Sequence, residues 1–178
     1  MATVNLFPNG SSGNTFTLST GSDAHVLVQD DASTPAGDSN YLSATVSGKQ
    51  VYLTLDDFTE DHSSIDGVQI VLRAGNGARS ATYDIETKLF PAGIGAAYYT
   101  ESTGTENANR FYLTHTFTNR TTTDGSTAWN NTLIDGLRLF VKLDAISSGT
   151  FQFTQAYVIV TYTEPVVTDN SIFFGTNF

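Results

Sequence analysis

The feature that most restricts this chain is an alternation of apolar and polar residues recurring along nearly its whole length. In QVYLTLDD, Val51, Leu53 and Leu55 fall on one face, and Tyr52 and Thr54 on the other. DGVQIVLRA repeats the pattern with Val68, Ile70 and Leu72 inward, and SATYDIETKLF with Ala81, Tyr83, Ile85 and Leu89. RFYLTHTFT sets Phe111, Leu113, His115 and Phe117 against Tyr112, Thr114, Thr116 and Thr118. GLRLFVKL places Leu137, Leu139, Val141 and Leu143 inward, with Arg138 and Lys142 outward. Successive side chains of a strand point to opposite faces, so a period of two describes strands with one packed and one wet face. No long stretch shows the 3.6 period of a helix.

Clusters of Gly, Asn, Asp and Ser separate these runs: NGSSGN, ASTPAGDSN, AGNGARS, PAGIGAA, STGTENAN and SSGT. They are turn and loop chemistry. AGNGAR has two glycines without a third and no βαβ surroundings, so it reads as a hairpin loop and not as a phosphate cradle. Eight or more short strands spaced this way predict an all-β fold: a two-sheet antiparallel β-sandwich, jelly-roll-like, with extended terminal arms. The 178 residues suit a single domain. Within it, residues 1–23 form an N-terminal arm and first strands, 24–163 the sandwich core, and 164–178 an apolar C-terminal arm.

Two segments depart from simple alternation. TFQFTQAYVIVTYTE alternates at Phe151 and Phe153 but is continuously apolar from Ala156 to Val160. That predicts a central strand covered on both faces, or a bulge near Gln155. Pro165 ends it. The following tail carries Val166, Val167, Ile172, Phe173, Phe174 and Phe178. It either folds back over its own core or docks on a neighbouring subunit or capsid, since an apolar tail left in water is an association liability.

The sole tryptophan, Trp129, lies in DGSTAWNNTLIDG. The flanks predict one short helical turn near residues 127–135, capped by Asp124 or Ser126, with Leu133 and Ile134 inward and Gly136 ending it. Trp129 is then a core peg. The competing reading is a sugar-stacking platform.

No G-x-S-x-G, P-loop, H-E-x-x-H or EF-hand pattern occurs, so no catalytic, cofactor-binding or metal residues are assigned. His25, His62 and His115 could share a metal only if folding gathered them. Acid pairs at Asp30 and Asp31, Asp56 and Asp57, and Glu60 and Asp61 could hold a loop-bound calcium. Glycosidase chemistry would need two carboxylates across a cleft, which spacing alone does not place. The net charge of −10, from 18 acidic and 8 scattered basic residues, argues against nucleic acid as a partner. No apolar run is long enough to span a bilayer and no secretory leader is evident, so the sequons at Asn9, Asn119 and Asn130 carry little weight. With no cysteine, folding needs no oxidising compartment.

Two blocks resemble a recurrent pattern in virion structural proteins of tailed phages. One is DGSTAWNNTLIDGLRLFVK followed by FQFTQAYVIVTYTE; the other is HVLVQDDASTPAGDSNYLSA followed by GKQVYLTLDDF. Together they cover residues 24 to 163. The resemblance implies a non-enzymatic jelly-roll-like module, most simply a capsid decoration or cement protein on the capsid exterior, assembled in the host cytoplasm. Its partners would be the major capsid protein and its own copies, with a homotrimer suggested by capsid geometry. The alternative is a carbohydrate-binding or receptor-binding module of a tail fibre or baseplate. That reading expects Tyr98, Tyr99 or Trp129 to lie exposed in one plane, with a glycan as partner.

Overall fold

The computed structural model describes residues 1–29, 40–76, 81–92, 95–108 and 112–166. Among the described residues there are twelve strands: β1 (Ala2–Leu6), β2 (Pro8–Ser12), β3 (Thr17–Leu18), β4 (Leu42–Ala44), β5 (Gln50–Leu55), β6 (Ser64–Asn76), β7 (Ala81–Phe90), β8 (Tyr99–Ser102), β9 (Glu106–Ala108), β10 (Leu113–Thr116), β11 (Arg138–Ile146) and β12 (Phe151–Thr163). A 3-10 turn spans His25–Leu27, and one helical turn, α1, spans Asn131–Ile134. The strands form two antiparallel six-stranded sheets packed as a jelly-roll-like sandwich.

The first sheet runs β10-β6-β12-β4-β3, with β1 also on β12; the second runs β2-β5-β11-β7-β8, with β9 also on β7. The alternating runs supply the facing surfaces. Val51, Leu53 and Leu55 of β5, Val68, Ile70 and Leu72 of β6, and Leu139, Val141 and Leu143 of β11 are all buried in one core. Tyr83 and Phe151 join the sheets across it, with ring centroids 5.4 Å apart. β12 is both central and bulged: it pairs with β6 on one side and with β4 and β1 on the other, and its register shifts between Phe153 and Gln155.

Four local expectations change. AGNGAR is not a hairpin, because β6 ends in one sheet and β7 begins in the other; the segment joins sheets. STGTENAN is not simply loop: β8 and β9 both pair with β7 and form one interrupted edge strand around Gly104, whose φ is +66°. His25, whose apolar neighbours in HVLV read as a strand, begins a 3-10 turn instead. Leu113, expected inward, is 39% exposed, because β10 is a short edge strand with no strand beyond it in the sheet order. Conversely Phe140, on the outer face of β11, is only 5% exposed, covered by Tyr52 at 4.8 Å and by the Lys88 ammonium at 5.5 Å.

The N-terminal stretch is paired over residues 2–6 and, with a bulge between Pro8 and Gly10, over 8–12. β1 lies along β12, the chain crosses at Phe7, and β2 lies along β5 in the other sheet. This ribbon closes one lateral edge of the sandwich. The opposite edge lies between β8–β9 and β10, where β9 and β10 belong to different sheets and are joined through residues 109–112, of which 109–111 lie outside the described residues.

Candidate functional site

The open edge forms a groove of about 460 Å³. One wall is β8 and β9. Alternation along β8 turns Thr100 and Ser102 outward and Tyr99 and Glu101 toward the other sheet. The Glu101 side chain is 7% exposed, a costly place for a carboxylate unless its oxygens are bonded. They are: Arg120 approaches Oε1 through Nε at 2.8 Å and Nη2 at 2.6 Å, and the Thr118 amide donates to Oε2 at 3.0 Å.

The other wall is β10 and the segment after it, which continues along β6. The Phe117 amide donates to Ile70 O at 3.0 Å, and Gln69 Nε2 donates to Phe117 O at 2.7 Å. Arg120 and Val68 exchange two backbone bonds of 2.9 Å. The Asn119 amide lies so close to Gly67 that any Cβ there would collide with it, which explains a glycine inside a long strand. Thus both walls are built on sheet.

His115 lines the groove, and its Nε2 lies 2.9 Å from the Tyr83 hydroxyl. Burial holds its pKa below the ordinary histidine value, opposed by the nearby Glu106 charge. Burial, with Glu106 adding, raises the Tyr83 phenol, so it remains protonated and can also donate to Ala74 O at 3.4 Å. Thr100, Ser102, Thr103, Thr116, Thr118, Glu106 and Phe117 complete the lining, although the Ser102 and Thr103 hydroxyls already donate to Asp84 Oδ1 at 2.6 and 3.3 Å. The groove therefore offers the hydroxyl-bearing Thr100, Thr116 and Thr118 beside the Phe117 side chain.

Trp129 is not part of an exposed platform. It is 4% exposed; its Nε1 donates to Arg120 O at 2.8 Å, and Tyr98 meets its ring edge-on at 5.4 Å. Tyr99 is half-covered by the Arg120 guanidinium, 5.4 Å from its ring centroid. Tyr98, Tyr99 and Trp129 therefore brace the open edge instead of lying in one stacking plane.

The helical turn is capped by Asn130, whose side chain accepts from the Leu133 amide at 3.2 Å, and not by Asp124 or Ser126. Asp124 instead gathers its own turn, accepting from the Thr127 and Ser126 amides at 3.1 and 3.2 Å, which pulls its pKa down to about 2. Ile134 is buried, and Gly136 has φ +72°.

His25, His62 and His115 lie on the 3-10 turn, the β5–β6 loop and β10. Among the described residues no cluster of three or more histidines or carboxylates could hold a metal. Asp57 accepts from the Gly136 amide at 3.2 Å, so one of the acid pairs clasps the loop to α1. Asp30, Asp31 and Phe111 lie outside the described residues, as do Val167, Ile172, Phe173, Phe174 and Phe178. Val166 is described and is 85% exposed. The groove residues Glu101, Glu106 and Arg120 were not legible as a site, because two sheets meet there. The signal available was the alternation hidden in YTES.

No family model matches the chain, and no curated protein matches it. Solved structures similar to it include the CBM36-1 domain of a multidomain xylanase from the hindgut metagenome of Trinervitermes trinervoides, at 8% identity and TM-score 0.44, covering 92% of this chain and 100% of that one. A CBM35 module from Cellvibrio japonicus matches at 14% identity and TM-score 0.43, covering 91% and 95%. A cyclase from Fischerella sp. TAU matches at 12% identity and TM-score 0.42, covering 92% and 86%. Likeness at this level carries no assignment of function, which has to come from the groove.

Proposed function

We propose that this chain is a non-enzymatic binding module of a tailed-phage virion that takes a carbohydrate in the groove between β8–β9 and β10. The observation that supports this reading is the groove's chemistry: threonines at 100, 116 and 118 whose hydroxyls can donate and accept, the Glu106 carboxylate as an acceptor, and the partly exposed Phe117. A sugar ring presents hydroxyls at its rim and C–H groups on its face, so the two surfaces match. Walls built on sheet cost little ordering on binding. Glu101 is committed through both oxygens, so it is poorly placed to move a proton in glycoside hydrolysis. The virion setting rests on the sequence resemblance.

The test is to titrate isotope-labelled protein with host-surface polysaccharide and follow backbone amides. Shifts should concentrate at Ser102, Thr116 and Thr118. Shifts confined to another surface would remove the groove from the proposal.

A second reading, capsid decoration, is favoured by Val166, which leaves the end of β12 exposed in water. In that case a chain ending before Pro165 should remain folded but no longer bind particles or form a homotrimer. Normal particle binding by the shortened chain would exclude the arm from that role.

A further inference from the structure

The groove does not end at Arg120. A second cleft of about 340 Å³ lies against the same residue, lined also by Tyr99 and by Thr122 to Gly125. The walls run in step. On β8, Tyr99 belongs to the second cleft and Thr100 to Ser102 belong to the first. On the facing segment, Thr116 to Thr118 belong to the first and Thr122 to Gly125 to the second, with Arg120 common to both. Arg120 is therefore a saddle in one trough along the open edge.

Two residues at the saddle have bonding capacity left over. Arg120 spends Nε and Nη2 contacts on Glu101, yet its side chain is 41% exposed, and a guanidinium carries five N–H donors. The Tyr99 hydroxyl is buried and has no hydrogen-bond partner among the described residues. Such a group is costly unless a ligand or water meets it. Burial, and then the Glu101 charge, push its phenol pKa up, so it stays neutral.

We propose that the two clefts are successive subsites for one linear, neutral oligosaccharide, with Arg120 bonding the chain at the saddle and Tyr99 serving the unit beyond it. This inference rests on the carbohydrate reading of the first cleft. Neutrality follows from charge: Glu101 cancels Arg120, while Glu106 and Asp124 stand at the two ends of the trough on a chain of net charge −10. Each cleft falls in the range of roughly 300–1,000 Å³ usual for small-ligand sites.

The experiment uses an array of linear neutral oligosaccharides of graded length, followed by calorimetry on the series that binds. Affinity should rise by about tenfold, equivalent to about 1.4 kcal/mol, when the chain becomes long enough to bridge both clefts, and then level off. Thr122→Tyr, in the second cleft, should erase that gain while leaving the shortest binder within about twofold. Thr122→Gln supplies the block if the tyrosine variant does not fold. Arg120→Lys should weaken long chains more than short ones. Length-independent binding, an indifferent Thr122 variant, or tighter binding of a uronate polymer would overturn the two-subsite inference while the single-cleft reading survived. An array with no binder would overturn both.

Discussion

The two lateral edges of the sandwich begin from the same strand chemistry and finish in opposite ways. At one, β1 and β2 belong to different sheets but are separated only by Phe7, so the backbone itself spans the gap. Leu6 and Pro8 on either side are buried, Phe7 packs on Tyr157 at 5.5 Å, and Phe7 O accepts from the Asp56 amide at 2.9 Å. At the other, β9 and β10 also belong to different sheets but are joined through residues 109–112, of which 109–111 lie outside the described residues. The sheets are held by discrete pins: Trp129 on Arg120 O, Arg120 on Glu101, and His115 on Tyr83. Between these pins lie the two clefts that share Arg120. The groove thus lies at the pinned edge.

The contrast can be broken at several points. Trp129→Ala should have the largest effect, about 3–5 kcal/mol of stability in denaturant melts, because it empties a buried ring and strips one bond from Arg120 O. A loss under about 1 kcal/mol would mean that the open edge is not pinned there. On the closed edge, Leu6→Ala should cost about 2–5 kcal/mol by the same cavity argument, with no effect on glycan binding.

Arg120→Ala should cost less, about 1–3 kcal/mol, because it strands the mostly buried Glu101, while its own partial exposure limits the loss. It should also loosen the amides of residues 117–120 in hydrogen exchange. Protection unchanged in that segment would show that Asn119 and the Val68 bridge suffice to hold it.

His115 sharpens the comparison through pH. Its folded-state pKa lies below 6.5, so the unfolded chain takes a proton more readily as pH falls through that value. Stability should decline below about pH 6.5 and level off once the folded histidine also titrates. The partial exposure of the ring keeps the slope well under the ~1.4 kcal/mol per pH unit of one full proton. His115→Gln should flatten that slope, and an unchanged slope would assign it elsewhere. The smallest effect on stability is expected from Thr116→Tyr on exposed β10, within about 0.5 kcal/mol, even as it fills the groove.

Alternation at β5, β6, β7 and β11 predicts which residues line the core, and the structure places them there. Its failures have a common cause. Leu113 is apolar and in phase but sits on the edge strand β10, where no neighbouring strand among the described residues covers it. Phe140 is out of phase yet covered, because Tyr52 and Lys88 from adjoining strands close over it. Phase reports which face a side chain takes; neighbours decide whether that face is dry. The cap shows the same limit: Asp124 and Asn130 are both competent acceptors, and only the position of the Leu133 amide selects Asn130.

By itself the sequence determined the all-β class, the inward sets and the short turn beside Trp129, and narrowed the last strand to a covered central strand or a bulge near Gln155, since each is written in residues close along the chain. Only tertiary structure decided which strands lie at edges, that residues 2–12 close one edge, and that Glu101, His115 and Arg120 meet at the other. Those facts depend on the order of strands across two sheets. Antiparallel pairing leaves many strand orders open to one alternating pattern, and burial of the whole core selects among them.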